Sequence, residues 1–198
     1  TKQMGEQIVS ETTKTIFAQS ILLRYFNPVG AHSSALIGEM PVGTPENLVP
    51  AITQTAIGKI PQLKVYGNDY PTRDGSCVRD YIHVCDIAHA HTLALQYLIE
   101  HKNTSRCEVF NLGTGNGVTV LEAIKAFEKV SGGKLNYVIA PRRAGDVVAV
   151  YADNKLAKER LGWNIQYSLE DMMSTAWKWE LKLKEDEAMH NNPNFQMN

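Results

Sequence analysis

The sequence predicts an α/β protein, about the size of one large domain, in which helices alternate with short strands. Its 198 residues, of which 43% are hydrophobic and 21% charged, have the composition of an ordinary globular protein. An apolar segment without Gly or Pro, Ser20 to Phe26, directly follows a helical pattern and predicts a buried strand. A second apolar segment, Glu108 to Leu112, leads through a glycine turn into a capped helix.

The charge and the cysteines narrow the function classes. The net charge of −1 gives no reason to expect binding to nucleic acid or to a membrane surface. No apolar run is long enough to cross a bilayer. Cys77, Cys85 and Cys107 include no CxxC pair, and their odd number is typical of reduced thiols. We therefore expect a protein of the cytoplasm.

The first elements form a helix-then-strand unit. A helix is expected from about residue 2 to 18, and the strand Ser20 to Phe26 follows it. The strand should stop at Asn27-Pro28, because proline cannot donate to a sheet ladder. Residues 27–44 lack periodicity, which predicts a long loop. Ligands bind beyond the carboxyl ends of strands in open α/β sheets, so Asn27 is either a ligand contact or a strand-end cap.

Turn-forming residues and helix caps divide the rest of the chain. Asp86 is expected at the N-cap or in the first turn of a helix, and Thr119 and Ser168 cap two later helices. The expected elements are a helix at 47–57, a strand at 63–67, turns at 68–76, a strand at 77–84, a helix at 86–98, a strand at 108–112, a glycine turn at 113–117, a helix at 120–130, a strand at 136–139, a charged loop at 141–146, a short helix at 154–161, a helix from 169 to about 184, and a polar tail at 191–198.

Three glycines between a strand and a helix invite comparison with a dinucleotide-binding loop. Gly113, Gly115 and Gly117 are spaced as G-x-G-x-G rather than G-x-G-x-x-G. In addition, no acidic residue ends a second strand about twenty residues later. We therefore expect a tight turn between the strand and the helix, and no pyrophosphate site.

Three arginines are the charges most indicative of a ligand. Arg79 follows a segment rich in turns, and Arg142 and Arg143 lie in a loop close to Asp146. A planar guanidinium binds pairs of oxygen atoms, so two of these side chains could converge on a diphosphate. Salt bridges with Asp80 or Asp146 are the alternative, and the residues by themselves favour it.

The histidines do not predict a metal site. His83, His89 and His91 are spaced by six and two residues, so no pair lies four apart on one helix face. No carboxylate completes an obvious tetrahedral set with them. The tryptophans in the last part of the chain are expected in the core rather than against a ligand.

Five segments carry a more specific pattern. In chain order they are LRYFNPVGAH at 23–32, YGNDYPT at 66–72, VRDYIHV at 78–84, FNLGTG at 110–115 and PRRAGD at 141–146. Together they resemble the UDP-glucose 4-epimerase (UDP-galactose 4-epimerase) family of extended short-chain dehydrogenases/reductases. The resemblance extends from Thr1 to about Trp179. Two such segments could occur by chance, but five in the same order are specific.

The resemblance implies that the chain is the C-terminal part of such an enzyme. Residues 1–30 would end a Rossmann-type NAD domain and residues 31–190 would mainly form a smaller mixed α/β UDP-sugar domain, with about 77–112 returning to the Rossmann domain. The family's G-x-x-G-x-x-G segment, its catalytic Ser or Thr and the Tyr of its Tyr-x-x-x-Lys motif have no counterpart here. Lys2 matches the lysine of that motif, and the Tyr would lie four residues earlier, one helical turn away.

The family reaction gives each implied site residue a role. A tyrosinate takes the proton of the sugar 4-hydroxyl while hydride moves from C4 to NAD, and hydride then returns to the opposite face of the 4-keto sugar. The ammonium of Lys2 would favour the phenolate, whose pKa is otherwise about 10. Lys2, Tyr25 and Pro28 would contact NAD. The UDP-sugar contacts would be Phe26 at the sugar, Asn27 and Asn47 at the diphosphate, Leu48, Val65 and Tyr66 at the uridine, Arg79 and Arg143 at the phosphates, and Asp146 at the ribose.

Val150 bears on the choice of substrate. It matches the family's position beside the sugar 2-substituent, which is a bulky Tyr in some members. The smaller side chain would leave room for an N-acetyl group. UDP-GlcNAc and UDP-GalNAc are therefore further candidate substrates beside UDP-glucose and UDP-galactose.

Three functions stay open. The first is NAD-dependent C4 epimerisation of UDP-galactose and UDP-glucose in galactose metabolism, by a homodimer packed through helices that include the Lys2 helix. The second is another nucleotide-sugar reaction of the same superfamily, a dehydration or decarboxylation, although segments 23–32 and 66–72 favour the epimerase. The third is a non-catalytic UDP-sugar-binding module, because the catalytic Tyr is missing. The 198 residues by themselves are expected to be inactive.

Overall fold

The computed structural model describes residues 1–16 and 18–190. Within these residues the order of helices and strands confirms the predicted α/β class. None of the helices they form combines the length and the apolar character that crossing a bilayer requires. The elements are α1 (Lys2–Thr15), β1 (Ser20–Tyr25), β2 (Asn27–Val29), α2 (Leu48–Ala56), β3 (Leu63–Tyr66), β4 (Val78–Arg79), β5 (Tyr81–His83), α3 (Val84–Ile99), β6 (Cys107–Leu112), β7 (Val118–Thr119), α4 (Val120–Ser131), β8 (Tyr137–Ala140), a π-helical segment (Ala157–Leu161) and α5 (Leu169–His190).

The strands pair two by two, and most of the pairs are parallel. β1 lies beside β6 with Ser20 opposite Cys107 and Tyr25 opposite Leu112. β2 pairs with β5 and β3 pairs with β8, also in parallel, whereas β4 and β7 are antiparallel. Parallel partners need long crossover connections, which explains why paired strands lie far apart in the sequence. Within each parallel pair the carboxyl ends of the two strands lie side by side, which is where α/β folds bind ligands.

The strand boundaries correct the sequence prediction at two places. β1 ends at Tyr25, as the Asn27-Pro28 pair predicts, but the chain then forms a second strand, β2, in which Pro28 lies opposite Ile82 of β5. Proline fits there since the Asn27 N–H donates to the Asp80 carbonyl at 3.0 Å, and Pro28 itself has no N–H to leave unpaired. The strand predicted at 77–84 is likewise two short strands, β4 and β5, separated by Asp80.

The helix ends agree with the predicted caps. Thr119 and Glu122 form a capping box at the start of α4, and Gly132 ends that helix with a left-handed φ of 73°. The Ser168 hydroxyl accepts from the Asp171 N–H at 3.2 Å at the start of α5. α5 extends to His190 rather than to residue 184, and α1 ends at Thr15 rather than near 18. Phe17 and the predicted tail at 191–198 lie outside the described residues.

The N-terminus of α3 differs in detail. His83 is the N-cap residue, and its Nδ1 accepts the Cys85 N–H at 3.0 Å. Asp86 is therefore the first-turn acid of this helix and not its cap. The His83 ring is buried and lies 3.1 Å from the Thr175 Oγ1 through Nε2. Burial lowers the pKa of His83, which favours the neutral ring that these contacts require.

The buried side chains form two apolar clusters. We call one the α4–α5 cluster; its members include Val49, Ile52, Leu63, Val65, Tyr81, Ala123, Ile124, Phe127, Met172 and Met173. We call the other the Trp163 cluster; it comprises Ile82, Ile87, Ala90, Tyr97, Phe110, Leu112, Ala157, Leu161 and Trp163. Trp163 is completely buried, and Trp177 packs edge-on against Phe127 at 5.4 Å between ring centroids. The expected core role of these two tryptophans is thereby confirmed.

Candidate ligand-binding site

A cavity of about 470 Å³ opens between β2, β3, the N-terminus of α2 and the loop after β8. Its volume is that of a typical small-molecule site, about 300–1,000 Å³. Its wall contains every predicted UDP-sugar residue except Val150, and also Pro28 of the predicted cofactor set. The predicted residues on the wall are Phe26, Asn27, Pro28, Asn47, Leu48, Val65, Tyr66, Arg79, Arg143 and Asp146.

One end of the cavity is apolar and aromatic. Strand alternation in β3 buries Leu63 and Val65 against the α4–α5 cluster and turns Tyr66 outward. Val65 is 1% exposed, so its side chain is both core and cavity wall. Leu48, the first residue of α2, extends this apolar surface. Such a slot can take a flat ring between aliphatic groups.

Arg143 carries an uncompensated positive charge on the wall. Its guanidinium lies over the Tyr66 ring, 4.0 Å from the centroid. Among residues 1–16 and 18–190 no salt bridge involves Arg143, whereas its neighbour Arg142 binds the Asp69 carboxylate at 2.7 Å and the Asp69 carbonyl at 2.6 Å. Arg142 also stacks on Tyr70 at 4.1 Å. Only one of the two consecutive arginines is therefore available to an anion in the cavity.

Arg79 is bound to a carboxylate that also lines the cavity. It forms an ion pair with Asp146 and donates to the carbonyl oxygens of Val78 at 2.7 Å and Val147 at 2.9 Å. The salt bridge considered as the alternative thus exists with Asp146. It does not exist with Asp80, which faces the opposite way. Both partners are mostly buried, at 15% and 21% side-chain exposure. The pair fastens the loop that carries Arg143 to β4.

The N-terminus of α2 faces the cavity through Asn47 and Leu48. Asn47 occupies the N-cap position, but its side chain makes no cap bond and instead donates to the Glu39 carboxylate at 2.9 Å. The first turn of α2 contains no acidic residue. Free backbone N–H groups at such an end favour an anion.

Three predicted residues lie away from the cavity wall. Lys2 is exposed in the first turn of α1. Tyr25 ends β1 with 48% exposure, and its ring lies 6.5 Å from that of His91. Val150 runs beside β4, where its N–H donates to the Val78 carbonyl at 3.2 Å. The structure therefore brings the predicted uridine and diphosphate residues together in one cavity, but not the whole predicted set.

Sequence reasoning missed several residues of the wall. Cys77 and Tyr81 line the cavity together with Arg79, and Lys64 and Glu46 stand at its border. The alternation at positions 77, 79 and 81 could have identified the first two, because alternate residues of an extended segment share a face. Burial raises the pKa of the Cys77 thiol, which disfavours the reactive thiolate form.

The glycine turn is tight, as predicted. A Cβ at Gly113 would lie 2.4 Å from Oδ2 of Asp80 and 2.6 Å from Cβ of Ala152, and Gly115 has a left-handed φ of 73°. Across residues 1–16 and 18–190 no group of His, Cys, Asp and Glu side chains is arranged to hold a metal ion.

Comparison with known proteins agrees with this geometry. Residues 1–176 match the family described as GDP-mannose 4,6 dehydratase. The UDP-glucose 4-epimerase of Bacillus subtilis is 50% identical over 181 residues, which is 91% of this chain and 52% of that protein. The bifunctional UDP-glucose 4-epimerase and UDP-xylose 4-epimerase 1 of Pisum sativum is 53% identical over 159 residues, 80% of this chain and 45% of that protein. The chain spans about half the length of the curated relatives it matches.

Solved structures have the same fold. UDP-glucose-4-epimerase from Stenotrophomonas maltophila, with bound NAD and formylated UDP-arabinopyranose, matches with a TM-score of 0.89 and 48% identity over 93% of this chain and 55% of that one. The enzyme from Bifidobacterium longum, in complex with NAD+ and UDP, matches with a TM-score of 0.84 and 44% identity over 98% and 54%. These relatives confirm the resemblance to UDP-glucose 4-epimerases, and the match over residues 1–176 shows that the chain belongs to the GDP-mannose 4,6 dehydratase family.

Proposed function

We propose that this chain supplies the UDP-sugar site of an NAD-dependent enzyme that epimerises C4 of UDP-galactose and UDP-glucose in galactose metabolism. The observation that carries the proposal is the cavity wall, where an apolar slot, an arginine stacked on Tyr66 and a helix N-terminus converge. The names of the relatives, UDP-glucose 4-epimerases at about 50% identity, support the same reaction.

Each part of a UDP-sugar has a matching surface. The uracil would lie in the slot formed by Leu48, Val65 and Tyr66. The diphosphate would take Arg143, whose guanidinium is free of carboxylates within residues 1–16 and 18–190, together with the N–H groups at the start of α2. The Arg79 guanidinium would also donate N–H groups to the phosphates, and the Asp146 carboxylate would accept a hydrogen bond from a ribose hydroxyl.

This distribution suits a reaction in which the sugar must turn over. Charged and polar anchors stand at the nucleotide end, whereas the predicted sugar contact, Phe26, is an aromatic ring that holds no hydroxyl. The nucleotide can therefore stay bound while a 4-keto sugar rotates to present its other face. Val150, beside β4, would leave the 2-substituent unhindered, so we include UDP-GlcNAc and UDP-GalNAc among the proposed substrates.

NAD fits the remaining predicted residues. Tyr25 keeps a half-exposed aromatic ring at the carboxyl end of β1, where α/β folds bind cofactors, and Pro28 forms part of the neighbouring wall. Lys2 is exposed, and within residues 1–16 and 18–190 it forms no salt bridge. NAD, when bound, accepts a hydride from C4 and returns it. The ammonium of Lys2 would donate to a ribose hydroxyl and favour the phenolate of a catalytic tyrosine.

Other features belong to the same proposal. Met4 and Ile8 of α1 are 66% and 65% exposed, which supports a homodimer packed through this helix. The three cysteines are free thiols, which supports a cytoplasmic location.

The family description favours a second candidate, a nucleotide-sugar dehydratase. The cavity wall, which holds the predicted uridine and diphosphate residues but neither Lys2 nor Tyr25, favours as a third candidate a chain that binds UDP-sugars but turns nothing over by itself.

Calorimetric titration of UDP into the chain tests the proposal, with Arg143→Ala as the variant and Arg142→Ala as its matched control. A hydrogen bond to a charged group contributes about 1.5–3 kcal/mol, so Arg143→Ala should raise the Kd for UDP about 10- to 100-fold. Arg142→Ala should change it less than about twofold, because Arg142 is already bound to Asp69. No UDP binding by the unaltered chain, or equal effects of both variants, would contradict the proposal.

Product analysis tests whether the chain turns over a UDP-sugar by itself. The chain is incubated with UDP-glucose and NAD, and the sugar products are followed by proton NMR. We expect no conversion by the 198 residues alone. Formation of a 4-keto-6-deoxy sugar would favour the dehydratase, and formation of UDP-galactose would show that the chain is active without the expected tyrosine.

A further inference from the structure

Two carboxylates are completely buried, and the proposed function uses neither of them. Asp80 and Asp86 are both 0% exposed. Burying a carboxylate is costly unless hydrogen bonds replace its hydration, so each must be held by donors. The donors of Asp80 come from the segments around the cavity, whereas those of Asp86 do not.

Asp80 joins three segments of the chain. Its Oδ1 accepts from the Thr114 N–H at 2.7 Å and from the Thr114 hydroxyl at 2.6 Å. Its Oδ2 accepts from the Gly115 N–H at 3.1 Å and from the Ala152 N–H at 2.9 Å. One side chain thus satisfies three backbone N–H groups from two loops, neither of which is paired with β4 or β5 at these residues.

The residues on either side of Asp80 lie on the cavity wall. Arg79 and Tyr81 both line it, and Asp80, between them, points to the other face of the extended segment. Val78 binds the same downstream loop through two backbone bonds, from its N–H to the Val148 carbonyl at 2.9 Å and from the Val150 N–H to its own carbonyl at 3.2 Å. The Asp80 carboxylate extends this attachment to Ala152.

The loop held in this way carries Arg143 and the carboxylate that binds Arg79. It contains Asp146, the partner of Arg79, and it follows directly from Arg143. Asp146 also donates its N–H to the Arg143 carbonyl at 3.3 Å. A shift at the Ala152 end would therefore be transmitted to the ion pair with Arg79 and to the Arg143 guanidinium.

We propose that Asp80 is a positioning residue for the diphosphate part of the ligand site. Its carboxylate fixes the loop of residues 143–152 against β4, and so sets where Arg79 and Arg143 stand relative to the uridine slot. The inference rests on the proposed function and deepens it. It assigns no contact between Asp80 and the ligand, because the side chain faces away from the cavity.

Asp86 provides a matched control. It is equally buried, and its carboxylate accepts the backbone N–H groups of Gln166 at 3.1 Å and Tyr167 at 3.4 Å. It lies beside the Trp163 cluster, and its own carbonyl accepts from the Trp163 ring N–H at 2.9 Å. Replacing either aspartate by asparagine keeps the volume but leaves at least one N–H facing an NH₂ group. Only Asp80 connects that loss to the ligand site.

The experiment compares Asp80→Asn and Asp86→Asn in titrations with UDP and with uridine, after circular dichroism has established that each variant is folded. Asp80→Asn should raise the Kd for UDP about tenfold, equivalent to one charge-assisted hydrogen bond, and raise that for uridine by a smaller factor, because uridine meets only Asp146 of this loop. Asp86→Asn should leave both values within about twofold. A general loss of stability would lower the apparent affinity for both ligands equally.

Thr114 supplies a second pair of variants in case Asp80→Asn does not fold. Thr114→Val removes the hydroxyl that donates to Asp80 at 2.6 Å, and Thr114→Ser keeps it. We expect Thr114→Val to weaken the binding of UDP more than that of uridine, and Thr114→Ser to restore the original ratio of the two Kd values. Equal weakening of both ligands, or equal effects of the Asp80 and Asp86 variants, would overturn the positioning role alone. Failure of the unaltered chain to bind UDP would overturn the proposed function as well.

Discussion

The Trp163 cluster and the α4–α5 cluster are both built from buried side chains, but only the second borders the cavity. In the first, polar groups are matched: the Trp163 ring N–H donates to Asp86, and the Asp86 carboxylate accepts two backbone N–H groups. In the second, Val65 and Tyr81 are core on one side and wall on the other. Next to them stands Arg143, which is paired with a ring rather than with an acid.

This difference predicts which substitutions change the stability of the fold alone and which also change ligand binding. Substitutions in the Trp163 cluster should lower the free energy of unfolding without changing the site, because no residue of this cluster lines the cavity. Substitutions of wall residues in the α4–α5 cluster should change both quantities. Substitution of an ion-paired carboxyl outside both clusters, such as Glu122, should have a small effect on stability that depends on pH.

The largest expected effect is that of Trp163→Ala. Trp163 is completely buried, and removing a buried Trp or Phe side chain costs about 3–5 kcal/mol. Chemical denaturation should show a loss of this size in the free energy of unfolding. The Kd for UDP, measured where the variant is still folded, should stay within about twofold of the original value. A tenfold weaker Kd would mean that the two clusters are not independent.

A smaller effect is expected from Val65→Ala. Val65 is 1% exposed and lines the cavity, so losing two methyl groups should cost about 2 kcal/mol of stability and also weaken UDP several-fold. Ile124→Val is the control, because Ile124 is equally buried in the same cluster but does not line the cavity. It should cost about 0.5–1.5 kcal/mol and leave the Kd unchanged. Equal Kd values for both variants would contradict the dual role of Val65.

Local patterns allowed much of the fold to be predicted. Capping residues such as Thr119 and Ser168, and glycine at 132, mark helix ends through contacts within one turn, so the sequence contains the whole interaction. The tight turn at Gly113 follows from its spacing in the same way. The uridine and diphosphate residues that share one cavity were predicted from sequence motifs rather than from local helix or strand propensity.

Long-range partners could not be predicted in this way. Asp80 receives bonds from Thr114 and Ala152, which are 34 and 72 residues away, and nothing near position 80 encodes them. Arg79 had two acidic candidates, and only the tertiary fold selects Asp146. The Asn27-Pro28 pair correctly predicted the end of β1, but not the new strand β2, which forms only through its pairing with β5. The division into domains and the roles of the site residues stay predictions.

The smallest expected effect concerns pH. The Arg73 guanidinium and the α4 capping box lower the pKa of Glu122 from 4.5 to about 2. A carboxyl with a depressed pKa in the folded state contributes stability that is present above pH 4.5 and is lost as the pH falls towards about 2. Glu122→Gln should therefore reduce the acid dependence of the unfolding midpoint in this interval. Glu159→Gln, at an exposed position, should leave this acid dependence unchanged. The same acid dependence in both variants would contradict the contribution of Glu122.

The close packing at Gly113 limits which substitutions this position can accept during evolution. A side chain at 113 would have to displace both the Asp80 carboxylate and Ala152, so no single replacement there leaves its neighbours in place. Among descendants of this gene, a residue other than Gly at 113 should appear only together with changes around it, at positions 80 and 152. An added Cβ at Gly133 meets nothing within 4 Å, so other residues can replace this glycine without changes elsewhere in the chain.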